Sequence, residues 1–202
     1  MKKSISLTKR LVVSMFVVPI LLSTVIAFLG YRQTEDSKSR LDYFILTSVP
    51  SIELLERIRY TLAKHVATLN YAALVYKEDS SVVENLQGLQ SAVEVLEEKF
   101  ANEYVADDED KQLSKAVRGR IDHYIETVDH TLGLLKAGET EKAKNYIRNE
   151  SAAAYAEADQ VIKKHVMHAT KLAAQFQEQG KESAQMSMWI QLGTGAFAVL
   201  LL

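Results

Sequence analysis

Residues 82–100 read Val82-Val83-Glu84-Asn85-Leu86-Gln87-Gly88-Leu89-Gln90-Ser91-Ala92-Val93-Glu94-Val95-Leu96-Glu97-Glu98-Lys99-Phe100. Val82, Leu86, Leu89, Val93, Leu96 and Phe100 recur at three- and four-residue steps, and the positions between them are largely polar. That period puts the apolar side chains on one face of an α-helix. The same stripe appears upstream in Ile52, Leu55, Ile58, Leu62, Val66, Leu69, Ala73 and Tyr76. Downstream it returns in Leu113, Val117, Ile121, Tyr124, Val128, Leu132 and Leu135, and again in Ile147, Ala154, Ala158, Val161, Ala169, Leu172 and Phe176. Four amphipathic legs joined by short breaks predict an all-α, up-down-up-down four-helix bundle.

The breaks support this division. Lys77-Glu78-Asp79-Ser80-Ser81 interrupts the first stripe, and Ser81 with Glu84 has the spacing of a capping box. Asp107 to Asp110 places acids where a helix dipole favours them. Gly138 is positioned to end the third leg and Thr140 to cap the fourth. Pro50 fits a first helical turn after Ser48, or a kink in a longer rod. With 8 Gly, 2 Pro and no Cys in 202 residues, a sandwich, a barrel, a disulfide framework and a thiolate metal site are all disfavoured.

Both ends are apolar. Leu11 to Tyr31 is an uncharged run of 21 residues, long enough as a helix to cross a bilayer. Lys2, Lys3, Lys9 and Arg10 precede it and orient the N-terminus to the cytoplasm. A cleaved signal peptide is the rival, but no convincing Ala-x-Ala site precedes Tyr31. From Ser183 onward there is again no charge, and 188–202 reads as the beginning of a second span, cut short. The expected organisation is a cytoplasmic tail (1–10), a transmembrane helix (11–31), an extracytoplasmic bundle (32–187) and the start of a second transmembrane helix (188–202). Residues 32–182 hold 20 of the 24 Lys and Arg and all 26 acids, a net of −6, so nothing points to nucleic acid. Long paired rods of this kind favour a homodimer.

A basic tail, one span, a bundle of about 150 residues and a returning span resemble the periplasmic sensory module of bacterial chemoreceptors, the methyl-accepting chemotaxis proteins. The stretches that carry the resemblance are Ser48-Val49-Pro50-Ser51-Ile52-Glu53-Leu54-Leu55 and Leu135-Lys136-Ala137-Gly138-Glu139-Thr140-Glu141-Lys142-Ala143. The resemblance implies a multi-pass receptor in the bacterial inner membrane. It also implies control of a cytoplasmic kinase, with its coupling protein, by displacement of the fourth helix and second span. The same bundle fronts some sensor histidine kinases and diguanylate cyclases, which keeps those outputs as alternatives. A membrane-tethered bundle that binds a protein partner is a third.

One constellation stands out. Arg59 lies 18 residues before Lys77, Arg118 and Arg120 lie 19 and 17 before Ala137, Glu157 lies 19 after Gly138, and Glu97 lies 18 after Asp79. Equal rise per residue brings all five to one height. Arg59 falls beside its stripe, Arg120 within its own, and Arg118 points more outward. An inward guanidinium requires an anion. Either the pairs are internal, Arg59 with Glu97 and Arg120 with Glu157, or the arginines hold an incoming carboxylate through paired N–H donors. Receptors similar to the aspartate receptor carry spaced basic residues on the first helix. Arg59-x4-Lys64 resembles the first part of that pattern, and Thr68 occupies the next basic position. The candidate ligand-binding set is therefore Arg59, Lys64, Thr68, Arg118, Arg120 and Glu157, for a small molecule such as an organic acid.

His165 falls centrally on the fourth stripe with His168 one turn on, and a buried, hydrogen-bonded imidazole is favoured there over a metal ligand. His65 and His123 share a height on stripe flanks and read as partly exposed. Tyr60, Tyr71, Tyr76, Tyr124, Tyr146 and Tyr155 are at helical spacing and read mostly as core or interface. Gly119 is either a point of close approach between arginines or simply tolerated. No nucleophile elbow, phosphate loop, zinc motif or convergent acid pair is present, so neither an enzyme nor a cofactor is expected.

Overall fold

A computed structural model describes residues 7–76, 81–105 and 107–200, without the side chains of 7–16, 18, 19, 22, 40, 41, 43, 44 and 194–200. The described chain is helical apart from its turns. The order is α1 (Leu7–Tyr43), a π-helical turn (Phe44–Ser48), α2 (Val49–Val75), α3 (Ser81–Glu103), α4 (Asp108–Lys136), α5 (Thr140–Tyr146), a second π-helical turn (Ile147–Ser151) and α6 (Ala152–Leu200). Two compact units result: residues 45–174, and residues 1–44 together with 175–202.

Residues 45–174 form the four-helix bundle. Helix α2 packs on α3, α3 on α4, α4 on α5 and α5 on α2, so the ring closes. The core is the interior of the stripes: Leu55, Ile58, Leu62 and Leu69 from α2, Leu86 and Val93 from α3, Ile121, Tyr124 and Val128 from α4, and Ala158 and Ile162 from α6. The expected break over 77–80 lies outside the described residues.

Local chemistry explains the ends. Asp107 caps α4 by accepting a hydrogen bond from the Asp110 amide at 2.7 Å, leaving its three following acids in the first turn. Gly138 adopts φ 78°; its amide bonds Leu135 O at 3.0 Å, and the Glu139 amide bonds Leu134 O at 2.9 Å. This is a Schellman closure, which satisfies carbonyls that the helix end would otherwise strand. An L-residue at that φ is strained, so Gly138→Ala is expected to cost about 1 kcal/mol, seen as a Tm lower by about 2–4 °C in a thermal scan. Thr140 does not cap α5. It is the first helical residue, and Glu139 precedes it without a side-chain cap bond.

The two π-helical turns have different origins. The first ends at Ser48, and Pro50 stands in the first turn of α2. A proline lacks the N–H and crowds the carbonyl four residues back, which favours a widened turn just upstream. The second, at Ile147–Ser151, has no local breaker. It adds a residue to one turn, and the buried face of α6 afterwards runs through Ala154, Ala158, Ile162, His165, Ala169 and Ala173. Ala154 and Ala158 are buried as expected, and Ile162, fully buried, takes the place expected for the half-buried Val161 because the stripe continues at four-residue steps.

In the second unit, the Gln33 side chain donates to the Ser183 carbonyl, and the Arg32 guanidinium lies over the Phe28 ring at 5.5 Å. Many large apolar side chains are exposed here, including Val25, Phe28, Leu29, Met188, Trp189 and Leu192. Among the described residues no helix is long and apolar enough to cross a membrane. The side chains of 11–16, 18, 19, 22 and 194–200, within the two expected spans, lie outside the described set.

Candidate functional site

The predicted arginine tier is built from α2, α4 and α6, and most of its charges already hold one another. Arg59 Nε donates to Asp159 Oδ1 at 2.7 Å, and its Nη1 lies 3.2 Å from Glu56 Oε2. The expected partner Glu97 is not used. Asp159 also takes Lys163 at 2.5 Å. Burial raises the Asp159 pKa, but hydrogen bonds from Lys163 and Arg59 outweigh it and hold the carboxyl below its ordinary value. The hydrogen bond to Asp159 in turn raises Arg59. Arg120 Nη1 meets Glu157 Oε2 at 2.6 Å, as one of the two alternatives required, although both side chains are half exposed and Arg120 is not inward. Arg118 is exposed and makes no hydrogen bond or ion pair among the described residues. Lys64 and Thr68 stand apart from this tier. They line a space of about 310 Å³ between α2 and α3, with Tyr71 and Asn85. A Cβ added at Gly119 would meet nothing within 4 Å, so no close approach depends on that glycine.

A different cavity has the features of an anion seat. Its volume is about 360 Å³, and it lies between α2, α4 and the α5–α6 leg. Asn70, Lys144, Arg148 and Ser151 are its polar lining, with Val66 and Leu69 as apolar wall and Tyr124 behind. No carboxylate lines it. Lys144 Nζ holds Glu141 Oε1 at 2.9 Å, and Arg148, which makes no ion pair among the described residues, acts on the same carboxylate through space. Arg148 and Ser151 belong to the second π-helical turn, a distortion that recurs at functional sites. Lys144 and Arg148 were not singled out from sequence. Their signal was available as a cation pair four residues apart, flanking Ile147 at the stripe edge.

Beneath both features lies a polar core. His65 is 1% exposed, not partly exposed as its flank position suggested. Its Nδ1 is 2.9 Å from the Tyr124 hydroxyl, and the two rings meet edge-on at 5.5 Å. Burial drives His65 down to about 4, so the ring is neutral at ordinary pH, and burial likewise raises Tyr124, which keeps its proton. His123 is exposed beside Glu126 at 3.6 Å. His165 is fully buried; its Nε2 lies 2.5 Å from Asp110 Oδ1 and its ring packs on Phe100 at 4.7 Å. His168 sits beside Asp107 at 3.2 Å and Glu109 at 3.5 Å. Tyr60 and Tyr71 are exposed, Tyr76 and Tyr155 are half-buried against the core, and Tyr124 is fully buried, packed edge-on against Tyr155 at 6.1 Å. Glu97 is pushed up to about 7, chiefly by burial, then by Asp122 and Glu94, with Arg118 opposing. Among the described residues no three His, Asp or Glu side chains converge as metal ligands.

No curated protein and no solved structure matches the chain. A closed ring of four amphipathic helices, ion-paired at mid-height, is nevertheless a recognisable arrangement. Residues 5–184 match the four-helix-bundle sensory module for signal transduction found in methyl-accepting chemotaxis proteins, and the chain belongs to that family.

Proposed function

We propose that the chain is the extracytoplasmic sensing part of a membrane-anchored chemoreceptor, and that it binds a small carboxylate in the cavity faced by Lys144 and Arg148. The observation that carries this reading is the convergence of two cations on a space of about 360 Å³ that no acid lines. A guanidinium offers a carboxylate two parallel donors, and Asn70 and Ser151 add neutral polar contacts. The wall of Val66 and Leu69 favours an organic acid over an inorganic anion. At the arginine tier, by contrast, a ligand must displace Asp159 from Arg59 and Glu157 from Arg120. Arg118, without an ion pair among the described residues, keeps that tier as the second seat.

Signalling follows from where Arg148 sits. It lies on the π-helical turn directly before α6. A ligand that binds one arrangement of that turn more tightly than another biases the axial or rotational setting of α6. The uncharged run 11–31 and the exposed apolar side chains near Trp189 support seating both ends in lipid as a multi-pass inner-membrane protein, with the bundle in the periplasm and two copies paired. The proposed output is a cytoplasmic histidine kinase with its coupling protein.

Calorimetry on the whole chain in nanodiscs, against a panel of mono- and dicarboxylates, tests the seat. A binder is expected whose affinity falls about tenfold or more in Arg148→Ala, the loss typical of a charge-assisted pair, and is unchanged in Arg118→Ala. Loss in Arg118→Ala and Arg59→Ala with indifference to Arg148 moves the ligand to the arginine tier. A panel without any binder overturns the carboxylate reading.

A further inference from the structure

We infer that the space between Glu97 and His165 is a proton-binding site, in which one water molecule joins Glu97 Oε1 on α3 to His165 Nδ1 on α6 and the proton on Glu97 controls that joint. It is separate from the anion cavity and does not depend on the ligand proposed there.

Two buried polar atoms lead to it. Glu97 Oε1 and His165 Nδ1 each have no hydrogen-bond partner among the described residues. Both residues line the same space of about 20 Å³, together with Phe100, Ser114 and Arg118. One water needs roughly 10–15 Å³ of such space and two or more polar partners, and both conditions are met. A buried carboxyl and a buried imidazole facing one gap without a bridge would each lose a hydrogen bond that water had supplied.

The tautomer of His165 sets the direction of the bridge. Nε2 faces Asp110 Oδ1 at 2.5 Å. An ionised carboxylate only accepts, so Nε2 carries the hydrogen, and in the neutral ring that the inference requires Nδ1 presents a lone pair to the gap. With Glu97 in its acid form the chain is fully polarised: the Glu97 hydroxyl donates to the water, the water donates to Nδ1, and Nε2–H donates to Asp110. Three helices, α3, α6 and α4, are then tied through one line of hydrogen bonds.

The groups around Glu97 decide when the proton leaves. From α2 the space is faced by Leu55 and Ile58, which cannot solvate charge. From α4 come Ser114, the cation Arg118 and the acid Asp122, and on α3 itself stands Glu94. Burial and the two like charges outweigh Arg118, which places the transition near pH 7. Once ionised, the carboxylate is drawn outward to solvent and to Arg118, and it no longer supplies a proton to the line. The joint between α3 and α6 opens. Because His165 belongs to α6, external pH then biases the same helix that follows the π-helical turn.

Nitrogen-15 NMR of the imidazoles, on the whole chain in nanodiscs between pH 5 and 9, tests this. The expected result is a His165 ring protonated at Nε2 and bare at Nδ1, with an Nδ1 resonance that moves with a midpoint near pH 7. Glu97→Gln keeps a neutral donor of the same size, so that movement should vanish while the tautomer persists. Persistence of the movement in Glu97→Gln would show that His165 titrates by itself and would overturn the inference. A wild-type resonance that does not move over this range would do the same.

Discussion

Asp110→Ala is expected to lower the unfolding free energy by about 3 kcal/mol or more, because it strands a buried imidazole. Asp110 is 3% exposed and His165 is fully buried, and their contact is 2.5 Å long. His165 Nδ1 already has no partner among the described residues, so without Asp110 Oδ1 both ring nitrogens would be left unsatisfied by side chains. Replacing both partners at once, in Asp110→Ala/His165→Leu, should recover most of the loss. Two apolar groups do not need the hydrogen bond that one orphan does. The contrast is Glu157→Ala. The Arg120–Glu157 pair is just as short, at 2.6 Å, but each side chain is 51% exposed, so its loss should stay within about 0.5 kcal/mol. Urea unfolding at pH 7 measures all three. An Asp110→Ala variant no less stable than Glu157→Ala would show that the buried pair contributes nothing beyond the exposed one.

These two pairs also mark what the sequence could disclose. The stripes through Leu55, Leu62, Leu86, Val93, Ile121 and Val128 are buried as their spacing requires, since helical period alone determines which face turns inward. Arg120 with Glu157 followed from counting rise per residue from the turns, which fixes height well. Azimuth is fixed less well. Arg59 was matched with Glu97 at equal height, yet it points to α6 and finds Asp159. Asp110 looked like one more acid favouring a helix start, and nothing in Asp107-Asp108-Glu109-Asp110 marks which of the four turns inward onto an imidazole 55 residues away. The second π-helical turn is similarly silent in sequence. It carries Arg148 at the edge of a cavity, and no proline or glycine announces it. Long-range polar pairings depend on the rotation of each helix about its axis, which a one-dimensional pattern specifies only to within a turn.

Stability itself should depend on pH in a way that two buried groups dictate. Glu97 is raised to about 7 by burial, from an ordinary value of 4.5. Between these values the native state holds a proton that the unfolded chain has released, so stability falls as pH rises through that window. The loss is complete above about pH 7. His65 has the opposite sign. Burial lowers it to about 4 from 6.5, so between those values the unfolded chain holds the proton and stability falls as pH drops. Taken alone, each limb amounts to about 3 kcal/mol, but the two windows overlap between pH 4.5 and 6.5, where the slopes cancel. Urea unfolding at pH 4, 5.5 and 8 should therefore give stabilities equal to within about 1 kcal/mol, and single variants should unmask the two limbs. Glu97→Gln cannot ionise, so stability should then rise by about 3 kcal/mol from pH 4 to 8, following His65 alone. His65→Gln retains a partner for the Tyr124 hydroxyl, and stability should then fall by about 3 kcal/mol over the same range, following Glu97 alone. If Glu97→Gln keeps the flat wild-type profile, the buried carboxyl does not titrate in this range. The separation of the limbs matters because Glu97 and His65 sit on different helices of one core. Two buried titrations of opposite sign hold the packing of that core nearly constant between pH 4 and 8, and removing either one exposes the other.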